Sequence, residues 1–280
     1  MIKAKKSLGQ NFLTDRHVAR RIIDSVSPAR TDAIIEIGSG TGALTGMLAK
    51  PGGYVVAVEI DARLAEELRR TTKAENLTII TADALSLNWD DLVNDAKSKL
   101  GPSPGLDEDS SRVRIVANLP YYISTPIIEK LLSLGHRIFD MTLMLQKEVA
   151  DRITAEPGGK EYGYLSVMVQ YYCVATKLFE VPPSAFTPDP KVNSAVIRLR
   201  VREQPAVNVA DERKFFSLVR ACFAQRRKTI LNNLKAAAAS QLFSNDVQLA
   251  LEAASVAAQR RAETLSLEEF AMLYNELYSR

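Results

Sequence analysis

Asn118-Leu119-Pro120-Tyr121 follows an apolar run, Val113–Ala117, and its residue types suit one kind of chemistry. The Asn118 carboxamide oxygen and the Leu119 carbonyl can each accept one N–H of an exocyclic amine. On adenine such an amine is a poor nucleophile, because its lone pair is delocalised into the ring. Two acceptors would favour a pyramidal nitrogen with the lone pair turned out of the ring plane. Pro120 stiffens the turn, and Tyr121 offers a flat face on which a base can stack. Against an electrophile that is already activated, such as a methyl on a sulfonium, positioning and electrostatics suffice and no metal is required. The plain alternative is an Asx-type turn closing a strand.

A second stretch with chemical content is Ile34–Thr45, IIEIGSGTGALT. A short apolar strand interrupted by Glu36 runs into glycines at 38, 40 and 42, which permit a sharp turn and close backbone approach to a ligand. Twenty-one residues beyond Gly38, the strand YVVAVEI carries Glu59 near its end, placed to accept hydrogen bonds from both hydroxyls of a ribose. The strand 76–80 leads to Asp83. Three acids, Glu36, Glu59 and Asp83, thus lie at or near successive strand ends, suiting a ligand with several hydroxyl and amino donors. The motif does not choose the cofactor. Gly38, Gly40 and Ala43 also satisfy G-x-G-x-x-G/A, so a nicotinamide enzyme stays open, as does a tight turn with no ligand.

Positioning these residues requires a sheet. Strands near 33–37, 54–58, 76–80 and 113–117 alternate with helical segments, the pattern of a parallel sheet covered on both faces, with ligands at the carboxyl ends of its strands. Asp15 is placed to cap a helix with Val18, Ile22, Ile23 and Val26 on one face. Ser124 or Thr125 should cap the helix that follows the tetrapeptide. Residues 94–112, rich in Gly, Pro, Ser and acid, read as a mobile surface loop. Four prolines between 182 and 190 force an irregular path around Phe186 before a last strand, 192–201. After Pro205 the pattern is helical only, near 211–224, 226–239, 246–253 and 267–278. Residues 1–205 are therefore expected to form one domain with a basic arm, and 206–280 a small helical domain.

Composition narrows the classes. The chain has 280 residues, 46% hydrophobic and 25% charged, with no apolar run long enough to span a bilayer. Two cysteines and two histidines without ligand spacing argue against a zinc site or a disulfide framework and fit a reducing cytosol. The net charge of +3 is unevenly spread. Residues 1–30 hold seven Lys/Arg against two acids, and residues 211–235 hold the same balance. Two basic regions on an otherwise acidic protein suit a gripped polyanion, or two solvated faces.

The ordered set of LGQNFL at 8–13, EIGSGTGALT at 36–45, VEID at 58–61, ADAL at 82–85, NLPYYISTPII at 118–128, LMLQKEVADRI at 143–153, YGYLSV at 162–167, PPSAFTPDPKVNSAVIRL at 182–199 and FAQRRKTILNNL at 223–234 resembles the KsgA/RsmA family of ribosomal RNA adenine dimethyltransferases. The resemblance covers nearly the whole chain. It implies an α/β, Rossmann-like S-adenosylmethionine-dependent methyltransferase sheet with a small C-terminal helical domain. It also implies transfer of methyl groups to N6 of two adjacent adenines in a hairpin loop near the 3′ end of 16S rRNA. The partner would be a precursor 30S subunit, and the enzyme a cytoplasmic monomer without metal. By matching positions, Asn11 and Leu13 would cover the cofactor, Gly38 would approach its methionine portion, Glu59 would hold the ribose and Asp83 the adenine amine. Asn118 would touch both cofactor and target amine, with Leu119 as the second acceptor. Tyr121 and Phe186 would stack on the target base, unless Phe186 is a core aromatic. Arg226, Arg227 and Lys228 would meet phosphates, or else be solvated or cap carbonyls. Tyr122 departs from the Asn found there in many relatives. The macrolide-resistance-type 23S rRNA methyltransferase, the nicotinamide dehydrogenase and a non-enzymatic RNA-binding assembly factor are the competing readings.

Overall fold

The computed structural model describes residues 4–5, 8–51, 53–100, 112–239 and 246–278. In chain order the elements are β1 (Phe12–Leu13), α1 (Arg16–Val26), β2 (Asp32–Ile37), α2 (Thr45–Leu48), β3 (Tyr54–Glu59), α3 (Ala62–Thr71), β4 (Leu77–Thr81), α4 (Trp89–Ser98), β5 (Arg112–Asn118) and α5 (Ser124–Leu132). There follow β6 (Asp140–Gln146), α6 (Lys147–Thr154), α7 (Tyr164–Tyr172), β7 (Cys173–Val181), β8 (Phe186–Thr187), β9 (Ser194–Val201), α8 (Glu212–Cys222), α9 (Ile230–Ala239), α10 (Val247–Ala253) and α11 (Leu267–Tyr278).

Seven strands form one sheet in the order β4-β3-β2-β5-β6-β9-β7, and β1 pairs with β8 in a separate two-stranded ribbon. The first five strands of the sheet run parallel, and β9 is antiparallel to β6. Parallel strands are flanked by helices on both faces, which is why β2 is buried at every position despite carrying Asp32 and Glu36. The chain proceeds from β2 to β3 and β4 on one side, then returns to β5 and β6 on the other. That reversal opens a crevice between β2 and β5, at their carboxyl ends.

The chain divides into two compact units. One comprises Met1–Ala150 with Val174–Val201, the other Asp151–Cys173 with Arg202–Arg280. The division thus falls at 201/202 rather than 205, and the apolar segment of α7 groups with the later helices. In the first unit, Asp15 caps α1 by accepting from the His17 and Val18 N–H groups, as its position foretold. Val18, Ile22 and Val26 then pack with Ile34, Val116 and Val196. In the second, Val167 and Tyr171 of α7 join Phe215, Leu218, Ile230, Leu234, Leu251 and Phe270 in one cluster.

Several boundaries differ from expectation. Residues 94–98 are the last turns of α4, capped by Asn88 and burying Ala96, and not part of a loop. The centre of that segment, 101–111, lies outside the described residues. No side chain caps α5, because a 3₁₀ turn at Tyr121–Ile123 leads straight into it and the Ser124 hydroxyl instead donates to the Tyr121 carbonyl at 3.1 Å. Buried Arg114 is held between Asp140, at 2.7 Å, and Asp32, at 3.0 Å, at the end of the sheet opposite the crevice.

Candidate active site at the reversal of the sheet

The crevice is a cleft with about 1220 Å³ of space, part of it open to solvent. The glycine turn after β2 forms its floor. Gly38 and Gly40 have φ of +73° and +55°, conformations L side chains rarely adopt. A Cβ on Gly40 would stand 3.4 Å from the Phe12 ring, and one on Gly38 would stand 3.5 Å from the Asn118 carbonyl oxygen. The loop, the arm and the end of β5 are therefore within contact distance of one another.

Three acids face this floor. Glu59 is buried, and its two carboxylate oxygens accept from the Gly40 N–H at 2.8 Å and the Asp61 N–H at 2.9 Å. Each oxygen keeps a second lone pair for a ligand hydroxyl. Burial raises the Glu59 pKa, and those two N–H groups oppose the rise. Glu36 is 2% exposed, with one oxygen, Oε2, lacking any hydrogen-bond partner among the described residues. Its pKa is pushed up to about 7 by burial, opposed by the Thr45 hydroxyl and reinforced by the charge of Glu59. Asp83 is half-buried and lines the cleft, with one oxygen taking the Leu85 N–H at 2.9 Å.

The arm forms the roof. Residues 8–13 line the cleft, and β1 holds them there by pairing Phe12 with Thr187 and Leu13 with Phe186. Farther back, Lys5 reaches Asp61 at 3.2 Å, which also pairs with Arg63 at 2.7 Å. Arg63 holds the Asp61 carboxyl well below the usual carboxylate range, and Lys5 adds to the effect against the opposing cost of burial.

At the corner, Asn118 donates from Nδ2 to the Asn11 carbonyl at 3.2 Å. The reverse orientation would set two acceptor oxygens against each other, so Oδ1 is the end left for a ligand N–H. The Leu119 N–H is used by the Met144 carbonyl at 3.2 Å. Tyr121 is half-buried, and its hydroxyl meets the Ser194 hydroxyl at 2.7 Å. Burial raises its pKa, partly offset by Ser194.

Asn11, Leu13, Gly38, Glu59, Asp83, Asn118, Leu119 and Tyr121 are thus brought to one cleft. Phe186 is not. It is 2% exposed and packs with Leu13, Val18, Met144 and Val196 in the core, offering no face to a base. Its strand pairs with β1, and that pairing buries the ring beneath the arm. Arg226 takes the second of its two expected roles: it donates to the Lys160 carbonyl and pairs with Glu263 at 3.6 Å. Arg227 and Lys228 are exposed on the turn between α8 and α9. Asn233 shapes that turn by donating to the Cys222 and Gln225 carbonyls at 2.6 and 3.2 Å. Ser194 and Asn233 carry no sequence signal of their roles. Glu36 did, as an acid interrupting the apolar run Ile34–Ile37.

Residues 1–278 match the family described as ribosomal RNA adenine dimethylase. The chain is 43% identical over 274 residues to Ribosomal RNA small subunit methyltransferase A of Clostridium acetobutylicum, covering 98% of this chain and 93% of the relative. It is 46% identical over 275 residues to the protein of the same name from Geobacillus thermodenitrificans, covering 98% and 90%. Among solved structures, a dimethyladenosine transferase from Plasmodium falciparum superposes with a TM-score of 0.73 at 27% identity, covering 94% of this chain and 95% of the other. The 23S rRNA methyltransferase ErmE superposes with 0.70 at 27% identity, covering 95% and 99%.

Proposed function

The chain belongs to the ribosomal RNA adenine dimethylase family, and from that premise we propose that it transfers methyl groups from S-adenosylmethionine to N6 of two adjacent adenines near the 3′ end of 16S rRNA. The partner is a precursor 30S subunit, met by a cytoplasmic monomer. Relatives named for the small subunit reach 43–46% identity against 27% for the 23S enzyme, which favours the small-subunit substrate. The family match sets the nicotinamide reading aside. Among the described residues no helix is long and apolar enough to cross a membrane.

The cleft fits the cofactor. Among the described residues Glu36 Oε2 has no hydrogen-bond partner, and once the carboxyl ionises this is a costly state that a ligand N–H or cationic group would relieve. Glu59 keeps lone pairs beyond its two backbone bonds, Asp83 lines the same cleft, and the glycine turn allows a close backbone approach. When bound, S-adenosylmethionine supplies an activated methyl group on a sulfonium.

The orientation of Asn118 carries the reading. With Nδ2 committed to the Asn11 carbonyl, Oδ1 and the Leu119 carbonyl would accept the two N–H bonds of the adenine amine and turn its lone pair out of the ring plane. Tyr121, fixed through Ser194, stacks on the target base. The Asn118 and Leu119 acceptors stabilise the positive charge that develops on nitrogen as the bond forms. Hairpin-loop bases are partly unstacked, so admitting one costs less than extracting it from a duplex. Asn118→Ala should lower kcat on precursor 30S particles by roughly 10²–10³, as removal of one preorganised group does. Methyl transfer at the wild-type rate in that variant would refute the assignment. Mass spectrometry of rRNA from cells lacking the gene should show two unmodified adenines.

A further inference from the structure

Six large apolar side chains are exposed among the described residues, and two of them, Ile60 and Tyr122, line the cleft. Tyr122 is the more exposed of the two, at 59%. It directly follows Tyr121 in the 3₁₀ turn Tyr121–Ile123, where successive side chains diverge by about 120°. The two rings therefore point different ways. Tyr121 is anchored inward by Ser194, while Tyr122 stands at the lip.

That lip is built. Gly9 has φ of +57°, and a Cβ there would lie 3.1 Å from both Cδ1 and Cε1 of Tyr122. The arm backs one side of the ring, and the rest is open to solvent. A tyrosine restrained in this way loses little further freedom on binding.

We propose that Tyr122 is the platform for the nucleobase adjoining the target. The inference rests on the functional reading above. When one adenine enters the cleft, its neighbour loses a stacking partner, and the exposed ring one residue beyond Tyr121 replaces it. Stacking of this kind tolerates any base. It positions the strand and leaves choice of the target to Asn118 and Leu119. With two adjacent adenines as substrate, a target and an adjoining base are present at each round of transfer. The competing role for Tyr122 is a clamp that holds the arm over the cofactor.

The test uses full-length protein and 30S particles reconstituted with rRNA carrying a synthetic 3′ segment. Tyr122→Ala should raise KM for normal particles about 5- to 150-fold, the span of one base–aromatic stack. Tyr122→Phe should stay near wild type, and the Kd for S-adenosylmethionine should not change in either variant. On particles abasic at the nucleotide adjoining the target, on one flank or the other, the Tyr122→Ala penalty should vanish. Full persistence of the penalty on both abasic substrates would overturn the proposal, as would its appearance in cofactor affinity instead of KM. A wild-type protein that methylates no adenine in normal particles would refute the functional reading, and this inference with it.

Discussion

Glu36→Gln should stabilise the cofactor-free protein at pH 8 and flatten the pH dependence of its stability. Glu36 is 2% exposed, and burial lifts its pKa from 4.5 to about 7. The folded state therefore holds this proton across a window in which the unfolded chain has released it. The stabilisation is fully present below pH 4.5, declines as pH rises, and is gone above about 7. A shift of this size corresponds to about 3 kcal/mol. Glutamine keeps the shape of the protonated acid at every pH. The variant should match wild type near pH 4 and exceed it by up to about 3 kcal/mol at pH 8, or roughly 6–12 °C in Tm. Thermal unfolding of both proteins between pH 5 and 8 reads this, because titration of the groups that do not touch Glu36 is shared, and neighbouring Glu59 is the one coupled acid. A cationic cofactor in the cleft reverses the preference, since it favours ionised Glu36. Wild-type affinity for S-adenosylmethionine should then rise with pH through about 7, while that of Glu36→Gln stays lower and flat. Parallel stability curves for the two proteins would refute the reasoning.

Three further outcomes are expected. Arg114→Met takes the guanidinium from buried Asp32 and Asp140, leaving Asp140 the half-exposed Arg200 at 3.9 Å, and should cost about 3–5 kcal/mol in denaturant unfolding. Adding Asp32→Asn and Asp140→Asn should recover most of that loss, and a single-variant cost under about 1 kcal/mol would disprove the role of the network. Arg227→Ala and Lys228→Ala should each reduce the slope of log Kd against log salt for particle binding by about 1, as loss of one phosphate contact does. Arg226→Ala should instead lower thermal stability, given its bond to Lys160 and its pairing with Glu263. Slopes equal to wild type for Arg227→Ala and Lys228→Ala would remove that turn from the RNA interface.

The parallel sheet and the floor of the cleft were legible because their signals are local. Glycines 38 and 40 announce a turn, and unbroken apolar runs such as Val55–Val58 announce strands buried on both faces. What eluded the sequence depends on partners distant in the chain. Nothing around Phe186 says which way its ring turns; that is decided by pairing with Leu13. Residues 94–98 look like loop because one helical face is polar, and the only residue they bury is Ala96. Tyr164–Val181 is apolar without a clear period, so the change from α7 to β7 at Cys173 left no mark. The same holds for its grouping: α7 joins the later helices through contacts with Phe215 and Phe216, some 45 residues on. The arginines at 213, 220 and 227 would share a stripe only on one continuous helix, and the chain breaks that helix after Cys222.

The ribbon of β1 and β8 has a consequence for synthesis. Phe12 is made before its partner Thr187, which follows 175 residues later. At about 5–20 residues per second, that leaves roughly 9–35 s in which the earlier-made segment has nowhere to dock. The glycine turn and Asn118 are both translated within this interval, yet their cover is missing. A nascent chain halted before residue 186 should therefore hold its methyl donor poorly even with the first five strands of the sheet complete.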